Sequence, residues 1–166
     1  MTKTFLLVRH SKAEDRNNMT EDIDRPLSAE GIADSFKIAD ILLSSGIKPD
    51  MTLVSSARRT IHTARVFQKI LNIDEKDLII SRNLYYSSSK TILNQIIDIA
   101  VTINCVMVVA HNPGISDLAR RLSSGRVTFM ENTQVVIFEY DIVQWNQLID
   151  QKPVSIRSYR TDGKSL

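Results

Sequence analysis

Cysteine occurs once in this 166-residue chain, at Cys105, so no internal disulfide can form. Cys105 opens an apolar run, where a small core residue accounts for it better than a nucleophile does. Charge of one sign is also missing: 21 basic and 19 acidic residues are interspersed, for a net charge of +2. No long basic run occurs, which argues against a nucleic-acid footprint. No stretch approaches the ~18 apolar residues that a membrane span requires. The chain enters a strand at once, without the long apolar segment and small-residue cleavage site of a secretory leader. No internal repeat, low-complexity tract or linker interrupts it. These absences point to a soluble cytoplasmic protein with no membrane or nucleic-acid partner.

What is present is an ordinary globular composition, 43% hydrophobic and 24% charged. The length suits one domain spanning 1–166. A chain this long buries roughly 70% of its unfolded surface, so it needs no disulfide or metal staple. Apolar runs predict strands over 4–8, 51–54, 78–80, 106–110, 135–140 and 155–159. Helix-period stripes lie between them. The first is Ile32, Phe36, Ala39 and Leu43, with Ser28 as N-cap and Gly46 and Pro49 as stops. The second is Ile61, Ala64, Phe67 and Leu71, capped by Ser55 or Ser56. Leu93, Ile96, Ile97 and Ala100 form a third. Ile115, Leu118, Ala119 and Leu122 form a fourth, with Asn112 as cap and Pro113 at the first helical position. Alternating strands and helices predict an α/β fold, a largely parallel sheet covered on both faces. The last strands follow one another with little helix between, which leaves one edge free to be antiparallel. Residues 12–25 read as a polar surface loop.

Two strand ends each deliver a histidine. Phe5-Leu6-Leu7-Val8 runs into Arg9-His10-Ser11, and Val106-Met107-Val108-Val109-Ala110 runs into His111-Asn112-Pro113-Gly114. Ligands of open α/β sheets bind beyond the carboxyl ends of the strands, so both histidines are placed to line one cleft. The second strand ends in Ser55-Ser56-Ala57-Arg58-Arg59, which puts Arg59 in the first turn of the next helix. Helix N-termini favour anions, and a guanidinium matches phosphate oxygens. Singly, each feature suits a solvated strand end or an exposed helix arginine. Their joint occurrence at successive strand-to-helix junctions points to phosphoryl chemistry.

Leu7-Val8-Arg9-His10 resembles the signature of the histidine phosphatase (phosphoglycerate mutase-like) superfamily. Ser55-Ser56-Ala57-Arg58-Arg59, with Thr63-Ala64 beyond, resembles its second motif, and Val109-Ala110-His111-Asn112-Pro113-Gly114 its third. Arg9-His10-Ser11-Lys12-Ala13-Glu14 and Arg25-Pro26-Leu27-Ser28 with Gly31 are most similar to small SixA-type phosphohistidine phosphatases. The resemblance implies a three-layer α/β/α sandwich. It also implies that His10 is a nucleophile, phosphorylated transiently, and that Arg9, Arg59 and His111 hold the phosphoryl oxygens. Arg25 becomes a further anion contact, and Arg58 a surface residue. Three positions depart from the commoner pattern: Ser11 stands where glycine is usual, Ser56 where proline is, and Thr60 where alanine is.

The implied chemistry is transfer to His10 followed by hydrolysis, with His10 attacking as neutral imidazole and neighbouring arginines disfavouring its protonated form. Fixed cations supply the compensating charge, so neither metal nor cofactor is expected. Leu84-Tyr85-Tyr86-Ser87-Ser88-Ser89 holds no carboxylate where larger relatives place an acid. Glu14, Asp15, Glu21, Asp22 and Asp24 are the candidate donors. A missing strong acid suits phosphohistidine, whose imidazole can leave carrying its own proton. The short chain leaves no room for a large lid, so an open pocket is expected, one that admits a phosphorylated partner protein. The alternatives are a small phosphorylated metabolite as substrate, for a phosphatase or mutase, and a noncatalytic phosphate-binding module. A His10/His111 metal site lacks an evident third ligand, and the facing of His62 is open. The sequence fixes no oligomeric state; a monomer is compatible with it.

Overall fold

The computed structural model describes residues 2–164, so Met1 and residues 165–166 of the expected domain lie outside the described residues. Its strands are β1 (Thr2–Arg9), β2 (Met51–Ser55), β3 (Leu78–Ser81), β4 (Cys105–Ala110), β5 (Val135–Asp141) and β6 (Ser155–Tyr159). Its longer helices are α1 (Ala29–Ser44), α2 (Arg58–Leu71), α3 (Ser89–Asn94) and α4 (Gly114–Leu122). The strands form one six-stranded sheet in the order β3-β2-β4-β1-β5-β6. Pairing is parallel from β3 through β1 and antiparallel from β1 through β6. The antiparallel edge falls where the helices run out, as the sequence suggests.

The period-2 geometry of β1 sorts its side chains between two cores. Phe5 and Leu7 join a cluster with Ile92, Ile115, Leu118 and Trp145 on the α3/α4 face. Leu6 and Val8 join Ile38, Leu42, Ala64 and Phe67 on the α1/α2 face. The central strands are therefore apolar on both faces, and the molecule is the expected three-layer α/β/α sandwich with a mostly parallel sheet.

The helices differ from the predictions in four places, two of them caps. Ser28 does cap α1, its side chain accepting from the Gly31 amide. Yet α1 buries Gly31, Ser35, Ile38, Ala39 and Leu42, while Phe36 and Leu43 are exposed. Ile38 and Leu42 anchor this face, and Gly31 and Ser35, small residues that carry no apolar signal, extend it. A Cβ on Gly31 would overlap the carbonyl oxygen of Lys12, so α1 packs directly on the chain that leaves β1. In α2 neither Ser55 nor Ser56 is the cap; Ala57 holds that position without a side-chain bond. Ser55 remains in β2, and the Thr60 hydroxyl donates to the carbonyls of Ser55 and Ala57. The third stripe is cut short: α3 ends at Asn94, and Ile96 is buried from the turns that follow.

At α4 the cap is Pro113 rather than Asn112, and Gly114 is the first helical residue. The Asn112 side chain is committed elsewhere, donating to Met130 O (3.1 Å) and accepting from Ser116 Oγ (2.5 Å). The stripe Ile115, Leu118, Ala119 and Leu122 is buried as predicted. Cys105 is half-buried against the α1/α2 core, and burial pushes its thiol up to about 12, so it is an inert packing residue.

Candidate active site

Three adjacent parallel strands end together. Arg9 of β1 is in register with Ala110 of β4, and Val54 of β2 with Val109 of β4. His10, Ser55 and His111 therefore leave the same edge of the sheet, and the first turn of α2 brings Arg59 between them. The His10 and His111 rings lie 5.1 Å apart, centroid to centroid. His10 is 9% exposed, His111 2% and Arg59 1%.

His10 has a defined tautomer. Its Nδ1 lies 2.8 Å from the Ser11 carbonyl, which can only accept, so Nδ1 carries the hydrogen. Nε2 then holds a lone pair and faces Arg59 Nε at 3.4 Å. Burial chiefly, with help from the charges of Arg59, Arg9 and Arg25, pulls the His10 pKa down to about 4. The arginine effect expected from sequence is present, but burial is the larger cause. His111 is lowered to about 3, again mainly by burial. Arg59 Nη2 lies 3.4 Å from its Nδ1, which leaves Nε2–H to donate to Ser55 Oγ at 2.6 Å. Both imidazoles are neutral at neutral pH.

The arginines divide the pocket between them. Arg9 donates to Met130 O (2.9 Å) and stacks on Phe129, while its Nε is buried without a partner. Arg25 donates to Glu14 O, pairs with Asp22 Oδ1 at 3.1 Å, and contributes to the positive field on His10. Arg25 thus stands beside the pocket, reaching it through Asp22. Arg58 is exposed, as the motif spacing implied. His62 is half-buried on α2. Among the described residues no group of three His, Cys, Asp or Glu side chains is placed to hold a metal ion.

Three contributions to the site were not assigned from sequence. Of the five candidate acids, Glu14, Asp15, Glu21 and Asp24 are exposed. Asp22, on a 3-10 turn (Asp22–Asp24), instead enters the pocket. Its Oδ2 accepts from Arg59 Nη2 (3.0 Å), Tyr85 OH (2.9 Å) and Tyr86 OH (3.1 Å). The two phenols and Arg59 hold its carboxyl at about 2 against the opposing effect of burial. Tyr85 and Tyr86 both pack on the His111 ring, and Tyr86 sits in the left-handed backbone region at φ 45°. A Cβ on Gly114 would overlap the Ser87 carbonyl oxygen, so only glycine lets this loop press against the start of α4. Third, Ser11, the least informative letter of its motif, is fully buried. Its amide donates to Thr63 Oγ1, its hydroxyl meets Ser35 and Thr133, and its carbonyl fixes the His10 tautomer. The pocket is consequently less open than chain length suggests, because Asp22, on the β1–α1 connection, and Tyr86 cover Arg59.

Residues 5–84 match the model of the histidine phosphatase superfamily (branch 1), which bears out the resemblance over the stretch that holds His10 and Arg59. An uncharacterised chloroplastic protein of Arabidopsis thaliana is 29% identical across 76% of this chain, which spans 62% of that relative's length. A candidate phosphohistidine phosphatase SixA from Nakamurella multipartitia superposes with a TM-score of 0.79 at 20% identity, covering 93% of this chain and 98% of that one. The protein histidine phosphatase SixA in complex with tungstate superposes with a TM-score of 0.73 at 20% identity, covering 81% and 86%. At such identity the likeness establishes a shared fold, the phosphoglycerate mutase-like sandwich already described.

Proposed function

We propose that this chain is a phosphatase, a single histidine phosphatase domain that removes phosphate from phosphohistidine on a partner protein through a phosphorylated His10. The observation that carries the reading is the His10 ring. Its Nδ1–H is tied to the Ser11 carbonyl, and its Nε2 faces the Arg59 guanidinium within the positive field of Arg9 and Arg25. A neutral imidazole whose free nitrogen faces cations is arranged to attack an anion that those cations hold.

In the first step Nε2 of His10 attacks phosphorus, the P–N bond to the substrate imidazole breaks, and that imidazole leaves. It departs neutral when its other ring nitrogen already carries a proton. Arg9, Arg59 and His111 meet the charge on the phosphoryl oxygens, with positioning and electrostatics supplying most of the acceleration. Water then attacks the phosphorylated His10 and releases phosphate. The state of Asp22 supports the choice of substrate. It is the carboxylate that reaches the pocket, and with a pKa of about 2 it is a poor proton donor at rest. An ester with an alkoxide leaving group needs such a donor; a phosphoramidate does not.

Among the described residues no helix is long and apolar enough to cross a membrane. With one cysteine and mixed surface charge, the cytoplasm is the proposed compartment. The test is to assay purified protein against a phosphohistidine-bearing protein and a panel of small phosphate esters. Turnover of the former with feeble turnover of the latter is expected. Failure on every phosphohistidine protein combined with efficient ester hydrolysis would assign a small-metabolite substrate, and phosphate binding without any turnover would assign a noncatalytic module.

A further inference from the structure

The Asp22 carboxylate gathers its hydrogen bonds on one oxygen, while the other is buried without a hydrogen bond and meets only the charges of two arginines. Oδ2 takes Arg59 Nη2, Tyr85 OH and Tyr86 OH, while Oδ1 faces Arg25 Nη2 at 3.1 Å and Arg16 Nη2 at 3.4 Å. Arg59 Nη1 is also engaged, donating to the Asp22 main-chain oxygen at 2.6 Å. The outward fork of Arg59 is therefore filled by one residue of the chain itself, and any phosphoryl group that is to use that fork must replace it. Apart from these polar contacts, the segment carrying Asp22 is little buried. Its 3-10 turn buries no residue, residues 14–19 are exposed, and the loop is pinned at its base by the Ala13–Leu27 bridge.

We propose that Asp22 is the resident anion of the phosphoryl site, displaced by substrate, and that it determines which anions enter. The inference rests on the phosphatase reading above. A monoanion that replaces Asp22 restores the same charge to the same donors and gains little. A phosphoryl dianion brings one further negative charge to Arg25 and Arg59, which pair with Asp22, and toward Arg9, whose Nε is buried without a partner. The exchange thereby favours phosphoryl groups over formate, nitrate or a stray side-chain carboxylate. It also keeps Arg59 paired while the site is empty, sparing a nearly fully buried guanidinium from standing alone.

The experiment measures binding of inorganic phosphate and of formate to the wild type, Asp22→Asn and Asp22→Ala, read from the ring resonances of His10 and His111. Turnover of a phosphohistidine protein is measured in parallel. Asp22→Asn keeps the side-chain shape and removes the charge; thermal melting of both variants checks folding. The expected result is phosphate bound at least about 10-fold more tightly by both variants, with formate binding emerging where the wild type shows none. Unchanged or weaker phosphate binding, with formate still excluded, would overturn the proposal and make Asp22 a positioning residue for Arg59. If the wild type turns over phosphohistidine in that case, the phosphatase reading survives. If no form binds phosphate or shows turnover, both fail together.

Discussion

The two ends of β1 both bury cations, and they do so to opposite effect. At the amino end Lys3 is fully buried, and its ammonium donates to Val101 O (2.5 Å), Ile103 O (2.7 Å) and Asn104 Oδ1 (2.9 Å) beside the Trp145 ring. Three hydrogens meet three acceptors. At the carboxyl end Arg9, Arg25 and Arg59 lie about two neutral imidazoles, Asp22 pairs with Arg25 and Arg59, and the Nε atoms of Arg9 and Arg25 and Oδ1 of Asp22 are buried without hydrogen-bond partners. A buried polar cluster that closes on itself holds structure; one that leaves polar groups unpaired calls for a further role. The same strand thus carries a staple at one end and the candidate site at the other.

Substitutions at each end should separate these roles. The largest effect is expected from His10→Ala, with kcat falling by at least ~10^4-fold while the denaturation midpoint holds or rises, measured by steady-state turnover and urea unfolding. Lys3→Met should do the reverse. Loss of the ammonium leaves three oxygens without their donor and lowers stability by about 4 kcal/mol in urea titration, with kcat of the folded fraction unchanged. A drop in kcat without destabilisation would break the contrast.

Acid should act on the carboxyl end first. The folded-state pKa of His10 is about 4 and the ordinary value 6.5, so below pH 6.5 the unfolded chain takes up the proton before the folded one. Stability is fully present above 6.5 and declines as pH falls toward 4, by roughly 3 kcal/mol from His10 alone. Asp22, depressed to about 2, retains its contribution until pH drops below its ordinary 3.8 and loses it toward 2. Thermal melts from pH 7 to 4 should show this decline in the wild type and a shallower one in His10→Asn. A smaller effect is expected from Ser55→Ala, which removes the 2.6 Å partner of His111 Nε2. It should lower kcat by roughly 5- to 10-fold with melting temperature nearly unchanged.

Much of this contrast can be read from the sequence, for definite reasons. The six strands follow from apolar runs that the sheet buries on both faces, and His10, Arg59 and His111 follow from their positions just beyond strand ends. The α1 face escaped the pattern because Gly31 and Ser35, which pack closest, are small rather than apolar. Asp22 looked like four other loop acids because a polar loop has no periodicity to show which residue turns inward. Tyr85 and Tyr86 read as part of a stretch lacking a carboxylate, and their role as donors to Asp22 depends on a contact 63 and 64 residues away in sequence. Lys3 carried no signal of burial, since its acceptors belong to a turn about a hundred residues on.

His10 Nε2 is the atom proposed to take the phosphoryl group. Rapid mixing with a phosphohistidine protein, an alkaline quench and peptide mass spectrometry would test it directly. The prediction is an acid-labile, alkali-stable phosphoryl group on His10, formed before phosphate is released and absent from His10→Ala. Turnover by His10→Ala at the wild-type rate, or a phosphoryl group trapped on another residue, would contradict it.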